Sequence, residues 1–186
     1  MRDFTITFGY AYGQGRKINM NIRFAEKTDL ENIAGLYVRN HRTTYRGLLS
    51  DDYLDRLTVD GAYEKWEAHL FLPDTAIWVA CEGDSFLGFS AGMPDPEISS
   101  AWYLETLQIT ENSRGKGYGT ALIRTNTEHA SEQGFQKMSI CIVRGNHQAE
   151  ELYRRLGAVH YVFFEDDFCG TVSASEKLIW NELPAW

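Results

Sequence analysis

The chain has 186 residues, 44% of them hydrophobic and 24% charged, with a formal net charge of −8. That length and balance suit one soluble globular domain with a substantial core. The negative charge excludes a nucleic-acid binder that works through a broad basic face.

Cys81, Cys141 and Cys169 show no C-x-x-C spacing and cannot all pair, and the five histidines have no metal-ligand spacing. Buried thiols in a reducing cytosol, and no metal, are therefore expected. No apolar run approaches the roughly 18 residues that a spanning helix needs. The N-terminus lacks the continuous apolar core of a signal peptide, so a cytoplasmic protein is expected.

Residues 3–12 alternate Phe4, Ile6, Phe8 and Tyr10 with small or polar residues, as a strand does, but Gly9, Gly13 and Gly15 weaken the pattern. Residues 1–19 read as an N-terminal extension ahead of a single domain over 20–186. An edge strand, a partner-contacting arm and a poorly ordered tail all fit it. Residues 22–25 look like the first core strand. Thr28-Asp29-Leu30-Glu31 has the form of a capping box, after which Leu30, Ile33, Ala34, Tyr37 and His41 share a helical face. A short helix is expected from Ser50, and another from Asp60 that turns Tyr63, Trp66 and Leu70 inward before Pro73 stops it.

A β-meander follows, with strands over 76–81 and 86–93 joined by Glu82-Gly83-Asp84-Ser85. The stretch 101–110, with Trp102, Tyr103, Leu104, Leu107 and Ile109, reads as a mostly buried strand. It runs into the glycine-rich turn Arg114-Gly115-Lys116-Gly117-Tyr118-Gly119-Thr120 and a helix from about 120 to 133 that Gly134 stops. A strand over 137–143, a helix over 146–156 and an antiparallel pair over 158–164 and 176–180 complete the chain. The order predicts an α/β fold: a mixed sheet with helices on both faces, whose 101–110 and 137–143 strands are joined by a right-handed crossover.

A glycine-rich turn between strand and helix can surround a phosphate with backbone N–H groups, and the helix N-terminus adds about half a positive charge. A Walker loop needs G-K-[ST], which is absent. A dinucleotide fingerprint needs G-x-G-x-x-G near the first strand, whereas this turn lies halfway along the chain. What remains is R-x-x-G-x-G, filled by Arg114, Gly117 and Gly119, trailed by Asn146-His147-Gln148-Ala149-Glu150-Glu151-Leu152-Tyr153-Arg154-Arg155-Leu156-Gly157.

With these two linked motifs the chain resembles the GNAT superfamily of N-acetyltransferases over about residues 22–181. It departs from the family in lacking a proline at 110–113 and in placing Ala158 after Gly157. The resemblance implies a GNAT-like fold, a twisted sheet whose middle strands splay apart, and acetyl-CoA as cosubstrate. It implies that backbone N–H groups of Gly115, Lys116, Gly117, Tyr118, Gly119 and Thr120, with Arg114 beside them, hold the pyrophosphate, the side chains of Lys116 and Tyr118 lying at the surface. It further implies that the main chain of Leu107 and Ile109 pairs with the pantetheine arm, that the Ile109 N–H faces the thioester oxygen, and that Asn146 contacts the pantetheine.

Acylating an amine requires removal of a proton from an ammonium, alignment, and a proton for the departing thiolate. The resemblance makes Tyr153 the proton donor; its alternative is a core aromatic beside Ala149, Leu152 and Leu156. Glu105, among apolar neighbours of the central strand, is the candidate base, directly or through a water, because burial raises a carboxylate's proton affinity. A solvent-facing or ion-paired glutamate is the alternative. Tyr103, His41 and Tyr45 are candidates for the acceptor site. The expected partner is a small-molecule amine, with no nucleic acid and no membrane, and a homodimer is left open. A protein acetyltransferase and a non-catalytic acyl-CoA sensor are the rival readings.

Overall fold

The computed structural model describes residues 5–12, 16–168 and 170–186, with only the backbone for residues up to 19. Phe4, Gly13, Gly15 and Cys169 lie outside the described residues, as do the side chains of Ile6, Phe8 and Tyr10. In chain order the elements are β1 (Thr5–Tyr12), β2 (Arg16–Phe24), α1 (Leu30–Thr44), α2 (Asp51–Arg56), α3 (Val59–Leu70), β3 (Ala76–Glu82), β4 (Ser85–Pro94), β5 (Ala101–Ile109), α4 (Tyr118–Glu132), β6 (Lys137–Val143), α5 (His147–Arg155), β7 (Val159–Phe168) and β8 (Thr171–Trp180). The strands form one mixed sheet in the order β1-β2-β3-β4-β5-β6-β8-β7. Residues 5–12 and 16–24 pair as its outer antiparallel hairpin, so the strand expected from residue 22 begins at Arg16.

Strand β3 shows how the core is divided. Trp78 and Ala80 join a cluster with Leu122, Ile123, Tyr153 and Trp180 on the α4/α5 side, while Ile77 and Val79 join Leu30, Ile33 and Trp66 on the α1/α3 side. Buried on both faces, β3 reads as an unbroken apolar run where a half-exposed strand would alternate. Helix α4 is locked to the sheet by a buried polar bridge: Trp102 Nε1 donates to Asn126 Oδ1 (3.2 Å), and Asn126 Nδ2 donates to Ser90 Oγ (2.7 Å). A Cβ at Gly92 would overlap the Trp102 indole, which is why this approach needs glycine.

Two irregularities create the site. Strands β5 and β6, the sheet's parallel pair, are in register only at Ala101↔Lys137, Trp102↔Met138 and Tyr103↔Ser139. Beyond Tyr103 they diverge, and the edge of β5 is left open. Opposite β4, Ala91 pairs with Thr106 and Gly92 with Leu104, so Glu105 is the extra residue of a β-bulge. The bulge shifts the alternation: Trp102 and Leu104, then Leu107 and Ile109, all pack with the α4-side cluster. Glu105 and Gln108 instead reach α3 and α1.

The base of this divergence is held by a buried ion pair. Lys177 Nζ lies 3.0 Å from Asp95, with side chains 5% and 0% exposed, and 2.7 Å from Glu97. Asp95 also accepts from the Glu97 and Ile98 N–H groups and from Ser139 Oγ. Removing one partner of such a pair strands the other charge. Lys177→Met is therefore expected to cost about 3–5 kcal/mol, read as a lower urea midpoint, with the double variant Asp95→Leu/Lys177→Met recovering part of the loss.

Two expectations are corrected. The capping box lies earlier than Thr28: Glu26 and Asp29 form it around the short 3-10 turn Lys27–Asp29 that leads into α1, where Asp29 Oδ2 accepts the Glu26 N–H (2.8 Å) and a hydrogen bond from Arg23 (2.7 Å). The charged partner on β2 gives Asp29 an advantage that the local pattern does not show. The last two strands extend to Phe168 and back to Thr171, past the predicted ends at 164 and 176. Edge strand β7 leaves Tyr161 and Phe163 exposed, and a bulge at Tyr161 together with Glu165-Asp166-Asp167 works against pairing with another chain.

Candidate functional site

Helix α4 begins without a side-chain cap. Its N-cap is Gly117, at φ +88°, and Gly115 upstream has φ +73°. Left-handed backbone suits glycine, and a Cβ at either position would find nothing within 4 Å. The orphan N–H groups of the helix start are thus bare. Gly119 is different: a Cβ there would make only ordinary contacts with Leu107 (3.6 Å), Ile109 (3.8 Å) and Leu152 (3.8 Å).

Gly115, Gly117, Gly119 and Thr120 border a cleft of about 450 Å³ that also includes Leu107, Ile109, Arg114, Asn146 and Tyr153. Tyr45, expected in the acceptor site, lines this same cleft. A second depression of about 420 Å³ between α1 and α3, bounded by Glu31, Asp60 and Tyr63, contains none of these features. Lys116 is exposed as expected. Tyr118 is not: it is buried against the α4-side core, because the first turn of the helix already faces the sheet. The cradle fits a pyrophosphate, offering bare N–H groups, a helix N-terminus and an adjacent guanidinium.

Asn40, on α1, was not foreseen. It is 6% exposed, and its Nδ2 donates to Gln108 Oε1 (2.9 Å) and the Ile109 carbonyl (3.1 Å). Its Oδ1 accepts from Arg114 Nη2 (3.1 Å), whose Nε also reaches the Ile109 carbonyl (3.4 Å). One asparagine thereby ties the end of β5, the glycine turn and α1 together. The sequence signal is slight: a polar residue next to His41 at the inner end of an apolar helix face.

Tyr153 projects from α5 into the cleft and is 4% exposed. Asn146 caps that helix, accepting the Ala149 N–H through its side chain (3.4 Å). Burial first, and then Tyr45, pushes the Tyr153 phenol above its ordinary range, so it stays protonated at neutral pH. The Tyr45 hydroxyl is raised by burial and by Tyr37, against a hydrogen bond with Asn146.

Glu105 is not a solitary buried carboxylate. Its side chain is 19% exposed, with Oε1 3.1 Å from Lys65 Nζ and Oε2 3.2 Å from His69 Nε2, both on α3. The carboxylate is thus partly buried and faces a lysine and a histidine. Tyr103 lies on the same side of the sheet, its phenol raised by burial, then by Cys141, Glu105 and Asp166, with the Lys177 ammonium 5.6 Å from the ring centre.

The sites around Glu105 and Tyr153 are bridged by α1. Tyr37, His41 and Tyr45 fall one turn apart, with ring centres 3.8 Å and 5.1 Å from one to the next. Glu105 acts on the Tyr37 phenol at one end, and Tyr45 acts on Tyr153 at the other. His41 sits inside this stack, its Nδ1–H donating to the Tyr37 carbonyl (2.9 Å), and burial lowers it from 6.5 to about 4.

That shift predicts an acid sensitivity. The folded chain binds this proton less readily than the unfolded chain, so stability is full above pH 6.5 and is lost as pH falls from about 6.5 toward about 4. The amount is about 3 kcal/mol. Urea midpoints measured across that window should fall, and fall less in His41→Gln.

Among the described residues no group of three or more histidine, cysteine or acidic side chains is placed to hold a metal, and no helix is long and apolar enough to cross a membrane.

A splayed parallel pair with a helix N-terminus at its mouth and an open strand edge running into it gives a cleft of the shape a phosphate-bearing, extended ligand needs. The Acetyltransferase (GNAT) family model matches residues 37–158, and the chain belongs to that family. It is an acetyltransferase. The N-acetyltransferase YuaI of Bacillus subtilis, uncharacterised, is 26% identical over 130 residues, 68% of this chain and 73% of its own. Streptothricin acetyltransferase of Streptomyces lavendulae is 29% identical over 115 residues, covering 59% of this chain and 57% of its own. The solved structure of YncA from Salmonella typhimurium with its cofactor acetyl-CoA superposes with a TM-score of 0.69 at 20% identity, over 90% of this chain and 96% of that one.

Proposed function

We propose that this enzyme transfers the acetyl group of acetyl-CoA to a primary amine of a small molecule by direct attack in a ternary complex. The observation that carries the proposal is the cleft itself: left-handed Gly115 and Gly117 at one end, and the protonated, buried Tyr153 phenol within it. When bound, acetyl-CoA supplies an activated thioester. Backbone N–H groups from Gly115 to Thr120 hold its pyrophosphate, with Arg114, already anchored by Asn40, adding positive charge. The open edge of β5 at Leu107 and Ile109 orients the pantetheine arm, with Asn146 on the facing wall, and the Ile109 N–H is the candidate donor to the thioester oxygen.

Glu105 takes a proton from the acceptor's ammonium, directly or through a water, and the neutral amine attacks. As the C–S bond breaks, Tyr153 gives its proton to the departing sulfur and its phenolate regains one from the acylated nitrogen, which becomes the neutral amide; the proton on Glu105 passes to solvent. Tyr103 and His41 flank the acceptor approach, and Tyr45 lies between the two ends of the reaction. A net charge of −8 favours a cationic acceptor. Among the described residues neither cysteine is an activated nucleophile, because burial raises the thiols of both Cys81 and Cys141, in keeping with direct transfer.

The test is a panel of small amines, amino acids and peptides assayed for thiol release from acetyl-CoA, beside calorimetric titration with acetyl-CoA alone. The expected result is saturable cofactor binding and turnover with a small amine. Absence of binding at millimolar acetyl-CoA overturns the proposal, and turnover with peptides alone moves the acceptor to protein.

A further inference from the structure

Glu105 is the residue whose surroundings the proposed chemistry leaves unexplained. The bulge in β5 turns its carboxylate toward α3, and the two oxygens meet different environments there. Oε1 faces Lys65, a lysine 44% exposed on a flexible stem. Oε2 is fully buried, and His69 Nε2, also fully buried, lies 3.2 Å from it. Neither atom has an aligned hydrogen-bond partner among the described residues. Two buried polar atoms left without partners are costly unless they serve each other.

His69 itself is firmly seated. It packs edge-on against Trp66, with ring centres 5.4 Å apart, and its carbonyl accepts from Thr75 Oγ1 (2.9 Å), which ties the end of α3 to the loop before β3. Burial lowers its proton affinity, with Lys65 acting the same way and Glu105 opposing, so the ring is neutral at neutral pH. A neutral imidazole facing a carboxylate oxygen is attractive only with the hydrogen on Nε2. The ring thus offers an Nε2–H to the one carboxylate oxygen 3.2 Å away, while the other oxygen lies against the half-exposed Lys65. Besides Lys65 and His69, the ionisable groups that face this carboxylate are Tyr37 on α1 and Tyr103 on β5.

We propose that His69 is a positioning residue for the proposed base: its Nε2–H holds Glu105 Oε2, fixing the carboxylate so that Oε1 meets the acceptor's ammonium in place of Lys65. This rests on the reading of Glu105 as the base. It gives α3, which contributes nothing to the cofactor cleft, a defined part in the reaction. A base misplaced by about 1 Å loses on the order of a hundredfold in rate, which sets the scale of the effect.

The experiment uses the full chain and four variants: His69→Gln, whose amide can restore a donor near the Nε2 position; His69→Asn, whose amide cannot reach it; Glu105→Gln; and the double variant His69→Asn/Glu105→Gln. The expected result is a kcat lowered about ten- to hundredfold in His69→Asn, recovered largely in His69→Gln, with the acetyl-CoA Kd unchanged in both. In the Glu105→Gln background, His69→Asn should slow turnover no further, because the residues act as a unit.

Equal kcat in His69→Asn and His69→Gln overturns the inference. So does a factor for His69→Asn that is the same with and without Glu105, which marks a merely structural histidine. Wild-type turnover in Glu105→Gln overturns the parent reading of Glu105 instead, a result that is read before either histidine variant is consulted.

Discussion

Gly117→Arg is expected to abolish acetyl-CoA binding while leaving a folded protein. Residue 117 is the N-cap of α4 at φ +88°, where an L-residue pays roughly 1–2 kcal/mol of backbone strain. In a chain of this size that lowers the melting temperature by about 2–8 °C, which a stable domain survives. Nothing stands within 4 Å of the added Cβ, so the side chain meets no clash in the protein itself. It enters the volume where the pyrophosphate must sit, and its own guanidinium offers a competing, badly placed cation. Gly117→Ala separates the two effects. It keeps the strain without filling the seat, so it should show the loss in melting temperature with an acetyl-CoA affinity close to wild type. Calorimetry on both variants, with melting curves alongside, checks the prediction; wild-type affinity in Gly117→Arg would place the phosphates elsewhere.

The glycine turn was legible because backbone conformation is written locally: only glycine suits the left-handed positions 115 and 117, and a strand pattern before it with a helix pattern after it bounded the loop. The helix carrying Tyr153 was legible as well, over 146–156 with Gly157 after it; that Asn146 caps it is seen only in the structure. What escaped is non-local. Asn40 meets Gln108 and Arg114 across 68 and 74 residues, and no local pattern marks those partners.

His69 looked like one more residue near the end of a helix whose apolar face seemed to be Tyr63, Trp66 and Leu70. Its burial follows from Glu105, which a bulge turns toward it, and a bulge of one residue leaves no mark in the alternation of so apolar a strand. The length of β7 was missed because Glu165-Asp166-Asp167 reads as a loop; on an edge strand those charges belong in the sheet.

The other large effect is expected at Tyr153. Tyr153→Phe should lower kcat by about a hundredfold to ten-thousandfold, the range spanned by a single positioned acid, and leave the acetyl-CoA Kd unchanged. The ring packs in the α4/α5-side core and meets Trp180 edge-on at 6.0 Å between centres, and phenylalanine keeps both contacts. Only the hydroxyl is lost, and with it the proton for the sulfur. Burial and the neighbouring Tyr45 raise the phenol, so its proton is still present at alkaline pH where an ordinary tyrosine would begin to lose it. The wild-type rate should accordingly show no decline from Tyr153 ionisation as pH rises through 9 to 10, the region just below the ordinary tyrosine pKa. A rising limb at lower pH, reporting amine deprotonation, should be common to wild type and variant, because Tyr153 takes no part in that step. Single-turnover rates with saturating acetyl-CoA, measured across that range, isolate the chemical step from binding. A Tyr153→Phe rate equal to wild type throughout would reduce the residue to a core aromatic, and the sulfur would then leave without a proton from this wall of the cleft.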